Sequence, residues 1–390
     1  MAELRMRRSL LWFAVFAALL LVVAACETAG EDVADGDDLT EDDAADEPAD
    51  DDPAEDEAAD DEVADEAADD EEATEEGADD EAADADGDSY TMVTVPKLTG
   101  VSWFDRMGEG VDDYAGETGH DVYMQGSGQA DSAAQIQVLE DLIASGVDAL
   151  NVVPFQPDAV ESTLADARDA GIVVIAHEAP GIENADWDIE AFRNEEYGRN
   201  LMDQLAERMD EEGQYATMVG SLSSETHMAW VESAIEYQEE TFPDMEQVGD
   251  IIETEDDSQN AYQLMQELLS AYPDIRGVQG SASTDVVGVG QAVEEAGLEE
   301  QIAVVGTSVP NDARDGLEFG SIDLIAFWDP ADAGRAMNAV AQMELEGEEI
   351  EDGMDLGVPG YGAVELDGSV IYGDNAWIEV TAENVDEYDF

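Results

Sequence analysis

Residues 90–124 read YTMVTVPKLTGVSWFDRMGEGVDDYAGETGHDVYM, and this stretch decides the fold. An apolar run at 92–95 leads through a loop into a helix-period segment at 104–118, and a second apolar run follows at 120–124. That is a strand, a crossing helix and a strand. The alternation continues with a helix at 131–145, a strand at 149–154, a helix at 158–170 and a strand at 173–176. After a loop at 181–188 it restarts: helix 190–211, strand 215–219, helix 225–241, strand 246–252, helix 258–271, strand 277–280, helix 285–296 and strand 302–306. Repeated β-α-β units build parallel sheets covered by helices on both faces. About 300 residues exceed what one core usually supports. The expected fold is therefore α/β, two doubly wound parallel-sheet lobes joined by a hinge. A strand at 324–328 ending in Trp-Asp-Pro, then a helix at 330–346, reads as a return crossing into the first lobe. Short strands at 362–366 and 369–372 close the chain. The expected lobes are 90–180 with 329–360, and 181–328 with part of 361–390.

Upstream, residues 1–25 have three zones: Arg5, Arg7 and Arg8, then an apolar run at 10–23, then Ala24 and Ala25. This is the pattern of a secretory signal, and a run of about 14 residues is too short to span a bilayer as a helix. Cys26 is the single cysteine, so no intramolecular disulfide can form. Its place after Val23-Ala24-Ala25 matches a lipoprotein lipobox and marks it as a lipid attachment site. The Arg7-Arg8 pair leaves the export route open. Residues 26–89 form an acidic linker: about half of 27–88 are Asp or Glu, with no Lys or Arg. Such a segment cannot bury a core and repels itself, so it is expected to be an extended tether.

The whole chain carries a formal charge of −89, which excludes nucleic acid as a partner. Residues 90–390 hold only Lys97 and eight arginines against several dozen carboxylates. Self-repulsion at that density is relieved by concentrated salt, and a salt-loving source is expected. Against this background Lys97 stands out, as a leftover surface lysine or as an ammonium that contacts ligand.

In open parallel sheets, ligands bind beyond the carboxyl ends of the strands, so the residues after each strand are the candidates. Lys97 follows the first strand. Trp103 and Phe104 lie just beyond it, where core packing and an apolar wall against a sugar ring are both readings. Asp158 follows the third strand, and there a helix cap competes with hydroxyl binding. Glu178 follows His177 at the end of the fourth, Thr226 and His227 open a helix, Ser281 and Ser283 follow strand 277–280, and Trp328 and Asp329 follow the return strand. The three histidines, at 120, 177 and 227, lack helical ligand spacing or a cysteine partner, so no metal site is supported. No cofactor is expected.

Five stretches now carry a resemblance: Pro96-Lys97-Leu98-Thr99-Gly100-Val101, Gln156-Pro157-Asp158-Ala159, Ala229-Trp230-Val231, Phe327-Trp328-Asp329 and the closing Tyr388-Asp389-Phe390. From about residue 92 onward the chain resembles the periplasmic receptors for autoinducer-2 and rhamnose, a branch of the type I sugar-binding proteins. The resemblance implies that Lys97 and Asp158 contact polar groups of the ligand and that Trp103, Phe104 and Trp328 wall the pocket. It also sets Glu178 where pentose receptors carry a hinge aspartate. This chain departs from the autoinducer-2 receptors in having Thr226-His227 for their Asp-Gln pair, and Ser281 and Ser283 for Pro and Ala. Losing a charge-assisted acceptor favours a different polyol.

The expected function is thus a substrate-binding lipoprotein of an ABC importer. It would capture a small sugar or polyol by hinge closure and dock, as a monomer, on a membrane permease. The alternative is an autoinducer-2 receptor for uptake or signalling. An enzyme is disfavoured because Asp158, Glu178 and Asp329 sit on strand ends with no nucleophile motif or phosphate loop. A sugar-responsive repressor would need a DNA-binding head.

Overall fold

The computed structural model describes residues 89–374 and 377–390. The expected signal segment, Cys26 and the acidic linker up to residue 88 lie outside the described residues. The chain order is β1 Thr91–Val95, α1 Ser102–Thr118, β2 Asp121–Met124, α2 Ser132–Ser145, β3 Ala149–Val152, α3 Pro157–Asp169, β4 Val173–His177 and β5 Trp187–Glu190. Then come α4 Asn194–Arg208, β6 Gly213–Val219, α5 Glu225–Thr241, β7 Met245–Gln247, β8 Ile252–Glu253, α6 Ser258–Ala271, β9 Ile275–Gly280, α7 Asp285–Ala296, β10 Ala303–Thr307, α8 Pro310–Phe319 and β11 Leu324–Phe327. Helix α9 Pro330–Glu346 and the short strands β12 Glu365–Asp367, β13 Val370–Tyr372 and β14 Ile378–Val380 follow.

Two sheets result. The first runs β12-β13-β5-β4-β3-β1-β2 and the second β14-β11-β10-β9-β6-β7. All pairings among β1 to β5 and among β6 to β11 are parallel, and only β12 and β14 run antiparallel to their neighbours. Helices cover both faces, which is why β3 and β10 are buried at every position and read as continuous apolar runs. In each sheet the order reverses at the first strand of the lobe: β1 lies between β2 and β3, and β6 between β7 and β9. These switch points are where a crevice opens beyond the strands.

The chain crosses between the sheets three times, after β5, after β11 and between β13 and β14. Helix α9 packs on α1, confirming the return crossing. Gly110 makes that packing possible, because a Cβ there would sit 2.0 Å from the carbonyl oxygen of Ala331. Gly198 does the same where α4 meets α5, with the Trp230 carbonyl 2.1 Å from a would-be Cβ.

The first sheet runs further than the boundary expected at 180. Residues 187–190, read partly as loop, are β5, hydrogen-bonded between β4 and β13, and 365–372 join the same sheet. Trp-Asp-Ile-Glu alternates apolar and acidic residues over only four positions. That is too short a pattern to separate from an acidic loop in so acidic a chain. Among the described residues, no helix is long and apolar enough to cross a membrane.

Candidate ligand-binding cleft

Lys97 leaves β1 one residue beyond Pro96, at the switch point of the first sheet. Its ammonium reaches across the cleft to the second lobe, with Nζ 2.9 Å from Oδ1 of Asp256, in the loop after β8. Both side chains are nearly enclosed, at 10% and 8% exposure. Burial pulls the Lys97 ammonium down, but Asp256, followed by Glu178 and Asp285, more than offsets this and holds it above the ordinary lysine range. Asp256 takes a left-handed backbone (φ 53°), a conformation in which aspartate and asparagine are enriched. It also needs Gly220 beneath it, since a Cβ there would lie 2.3 Å from its Oδ1.

His227 lies next to this pair. Its Nδ1 accepts the backbone N–H of Gly220 at 3.2 Å, so the neutral ring carries its proton on Nε2. Burial, then the Lys97 charge, pushes its pKa down to about 3, so the ring stays neutral and a donor. On the adjacent strand end, Asp285 is fully buried. It accepts the N–H groups of Ser281 (3.0 Å) and Ala282 (2.9 Å) and the hydroxyl of Thr254 (2.6 Å). Burial raises its pKa to about 7. The loop after β9 is thereby fixed with Ser281 and Ser283 facing the cleft.

The aromatic walls converge on Trp328, in the return crossing. Its ring lies 4.7 Å from that of Trp103, 5.3 Å from Phe192, 5.8 Å from Trp230 and 6.1 Å from His177, mostly edge to face. This is the preferred geometry for aromatic pairs. Trp230 is held by its indole N–H, which donates to Oδ1 of Asn194 at 2.7 Å.

Lys97, Trp103, Phe104, Glu178, His227, Ser281, Ser283 and Trp328 line one cavity, together with Asp256, Trp230, Thr284 and Thr307. It encloses about 370 Å³ between protein atoms, open space at the mouth included. Glu178 enters it from a left-handed position (φ 59°) directly after β4. Four buried polar atoms on its lining, Oγ of Ser281, Oγ1 of Thr284, Oδ2 of Asp256 and Nε1 of Trp328, have no hydrogen-bond partner among the described residues.

Three expected site residues are elsewhere. Asp158 is exposed in the first turn of α3 and is absent from the cavity lining. Thr226 is buried behind the wall, and its hydroxyl donates to Oε1 of Glu190 at 3.3 Å. Asp329 caps α9 through the Ala331 N–H (2.9 Å) and grips Arg106 at 2.9 and 2.6 Å, a bidentate clamp. Each lies after a strand as the rule requires, but Asp329 is taken up as a helix cap, Asp158 faces solvent from the first turn of its helix, and Thr226 turns to Glu190. Asp256 was missed for the converse reason: Glu253-Thr254-Glu255-Asp256-Asp257 is one acidic run among many, and only its place after β8 could have singled it out.

Behind the cleft, at the first crossing, lie Asp188 and Glu190. Burial raises Asp188 to about 7, and burial followed by the Asp188 charge raises Glu190 well above its ordinary value. Among the described residues no group of three His, Cys, Asp or Glu is placed to hold a metal ion.

Compared with known proteins, a family profile described as "Periplasmic binding protein domain" matches residues 92–349. The D-xylose-binding periplasmic protein of Haemophilus influenzae is 27% identical over 192 residues, 48% of this chain, which spans only 57% of that relative's length. Among solved structures, LsrB from Clostridium saccharobutylicum in complex with AI-2 superposes with a TM-score of 0.72 at 21% identity, over 77% of this chain and 100% of that one. A solute-binding protein of an ABC transporter from Clostridium phytofermentas with bound L-rhamnose gives 0.70 at 17% identity, over 77% and 98%. At these identities the superpositions speak for the fold.

Proposed function

The chain belongs to the periplasmic binding protein domain family over residues 92–349, and from that premise we propose that it captures a sugar or sugar-like polyol, of the rhamnose type, for an ABC importer. One observation carries this reading: a cavity between two α/β lobes lined by Trp103, Phe104, Trp230 and Trp328 together with residues whose buried polar atoms lack a partner among the described residues. Sugars offer that combination, with apolar ring faces for the indoles and hydroxyls for the orphaned donors and acceptors. Closure of the lobes around the solute expels water, and the closed form is what a membrane permease engages. Binding is the whole of its chemistry in this reading, with ATP hydrolysis left to other subunits. Cys26 would carry the lipid that holds the protein, as a monomer, at the outer face of the cell membrane, with the acidic linker as spacer. The crystallised relatives with bound rhamnose and with AI-2 support the solute class.

Autoinducer-2 remains a second ligand reading because Lys97, the residue that the resemblance assigns to ligand, lies in the cavity. Thermal unfolding in molar salt against pentoses, deoxyhexoses, polyols and autoinducer-2 tests both. A solute at 100 times its dissociation constant stabilises by about 2.7 kcal/mol, a rise of several degrees. A flat panel with folded protein overturns the proposal.

A further inference from the structure

Asp256 belongs to no motif of the sequence reading, yet it is the one carboxylate of the second lobe among the described residues that lines the cavity. Its Oδ1 holds Lys97, and its Oδ2 is buried with no partner among the described residues. Glycine 220 and a left-handed backbone are both spent on placing it there. Thr226, expected at the site, turns away from the cavity to Glu190.

We propose that Lys97 and Asp256 act as one cross-lobe recognition unit that takes a neutral vicinal diol and rejects acid sugars. This rests on the sugar-binding reading above. One hydroxyl donates to the free oxygen of Asp256 and its neighbour accepts from the Lys97 ammonium, so the diol is read from both lobes at once and only when they close. Nε2–H of His227, held neutral by its contact with Gly220, and the hydroxyls of Ser281 and Thr284 are available to the remaining oxygens. The charge balance sets the class. A single ammonium faces two lining carboxylates, Glu178 and Asp256. A carboxylate or phosphate on the solute would bring further negative charge into a site shielded from water, where like charges repel most strongly.

The test is calorimetric titration of the purified chain in molar salt. The probes are L-rhamnose, D-arabinose, D-xylose and D-galactose, each beside an acid partner that keeps the same pyranose ring configuration: L-mannuronate, L-galacturonate, D-glucuronate and D-galacturonate. At least one neutral sugar should bind, its acid partner about a hundredfold more weakly or not at all. Asp256→Asn, whose asparagine tolerates the left-handed backbone, should lose about tenfold to a hundredfold for that neutral sugar, as expected for removal of a charge-assisted bond. It should also narrow the gap to the acid partner. Retained thermal unfolding of the variant separates this from misfolding, and Asp256→Ala provides a second removal of the acceptor. An acid sugar bound as well as its neutral partner, or both variants binding within about threefold of the parent, overturns the inference while leaving the sugar-binding reading intact. Binding of no probe overturns that reading and this inference with it.

Discussion

Replacing Lys97 by methionine keeps the unbranched stem and deletes the charge. Across 2.9 Å, the lost attraction to Asp256 is about 6 kcal/mol at an effective dielectric of about 20, most of it offset by the desolvation of both groups. Breaking a buried pair by removing one partner ordinarily costs about 3–5 kcal/mol, because the survivor stays buried and uncompensated. Here the pair spans the cleft, so Asp256 can regain water if the lobes separate. The cost is then capped by the work of opening. Among the other polar ties between the lobes, Ser102 to Asp312 and the Gly181 N–H to Glu225 are single exposed hydrogen bonds at 2.8 Å, and Thr226 to Glu190 is a longer one at 3.3 Å, each contributing about 1 kcal/mol. Lys97→Met should therefore lower the unfolding free energy in urea by about 2 kcal/mol or less. It should also expand the molecule in small-angle scattering and shift tryptophan emission to the red, since Trp103, Trp230 and Trp328 meet at the cleft. A loss of 3–5 kcal/mol with scattering and emission unchanged would refute this, because it would make the pair a fixed part of the core.

Stability should fall as pH rises from about 4 to 7. Asp188 and Asp285, both raised to about 7, hold protons in the folded state that the unfolded chain has already released. His227, pushed down to about 3, works in the opposite sense below about 6.5, but it is one group against three, since Glu190 is raised as well. Melting midpoints should be higher at pH 5.5 than at pH 8, with a shallower slope in Asp188→Asn; a midpoint that rises toward pH 8 contradicts the assignment. Gly198→Ala puts a methyl 2.1 Å from the Trp230 carbonyl and should cost about 1–3 kcal/mol of stability, read by urea titration; an unchanged midpoint would mean that α4 and α5 can slide apart. Asp158→Ala should leave solute affinity within about threefold of the parent in calorimetry, since Asp158 is exposed and outside the cavity.

The alternation of apolar runs and helix-period segments carried the architecture, because parallel strands buried on both faces leave unbroken apolar signatures such as 149–152 and 303–307. β5 was harder to see, since it is only four residues long and its acidic residues resemble the surrounding loops. Of the residues that the sequence marked by rarity, the lone lysine, Trp103, Trp230, Trp328 and the histidine after β6 line the same cavity. Carboxylates carried no such mark. In a chain with 101 of them, composition cannot distinguish Asp158, which is exposed, and Asp329, which clamps Arg106, from Asp256, which faces Lys97. Only the fold assigns their roles, through which strand each follows and what stands opposite.

That abundance also explains why the cleft uses lysine while the exterior uses arginine. Arg106, Arg168, Arg193, Arg276, Arg314 and Arg335 all pair with carboxylates on the partly exposed surface. A planar guanidinium suits that task, since its fork meets a carboxylate with two parallel bonds. In the cavity such a fork would engage both oxygens of Asp256, so a solute hydroxyl would have to share an oxygen with the guanidinium, as the Ala331 N–H shares Oδ1 of Asp329 with Arg106. An ammonium takes one oxygen and keeps its other donors rotatable, so Asp256 retains Oδ2. Lys97→Arg should therefore close the cleft as firmly as the parent while weakening solute binding in calorimetry by about threefold or more, since the solute hydroxyl must share an oxygen already held by the guanidinium. Parental affinity in that variant would show that the free oxygen of Asp256 is not what the solute uses.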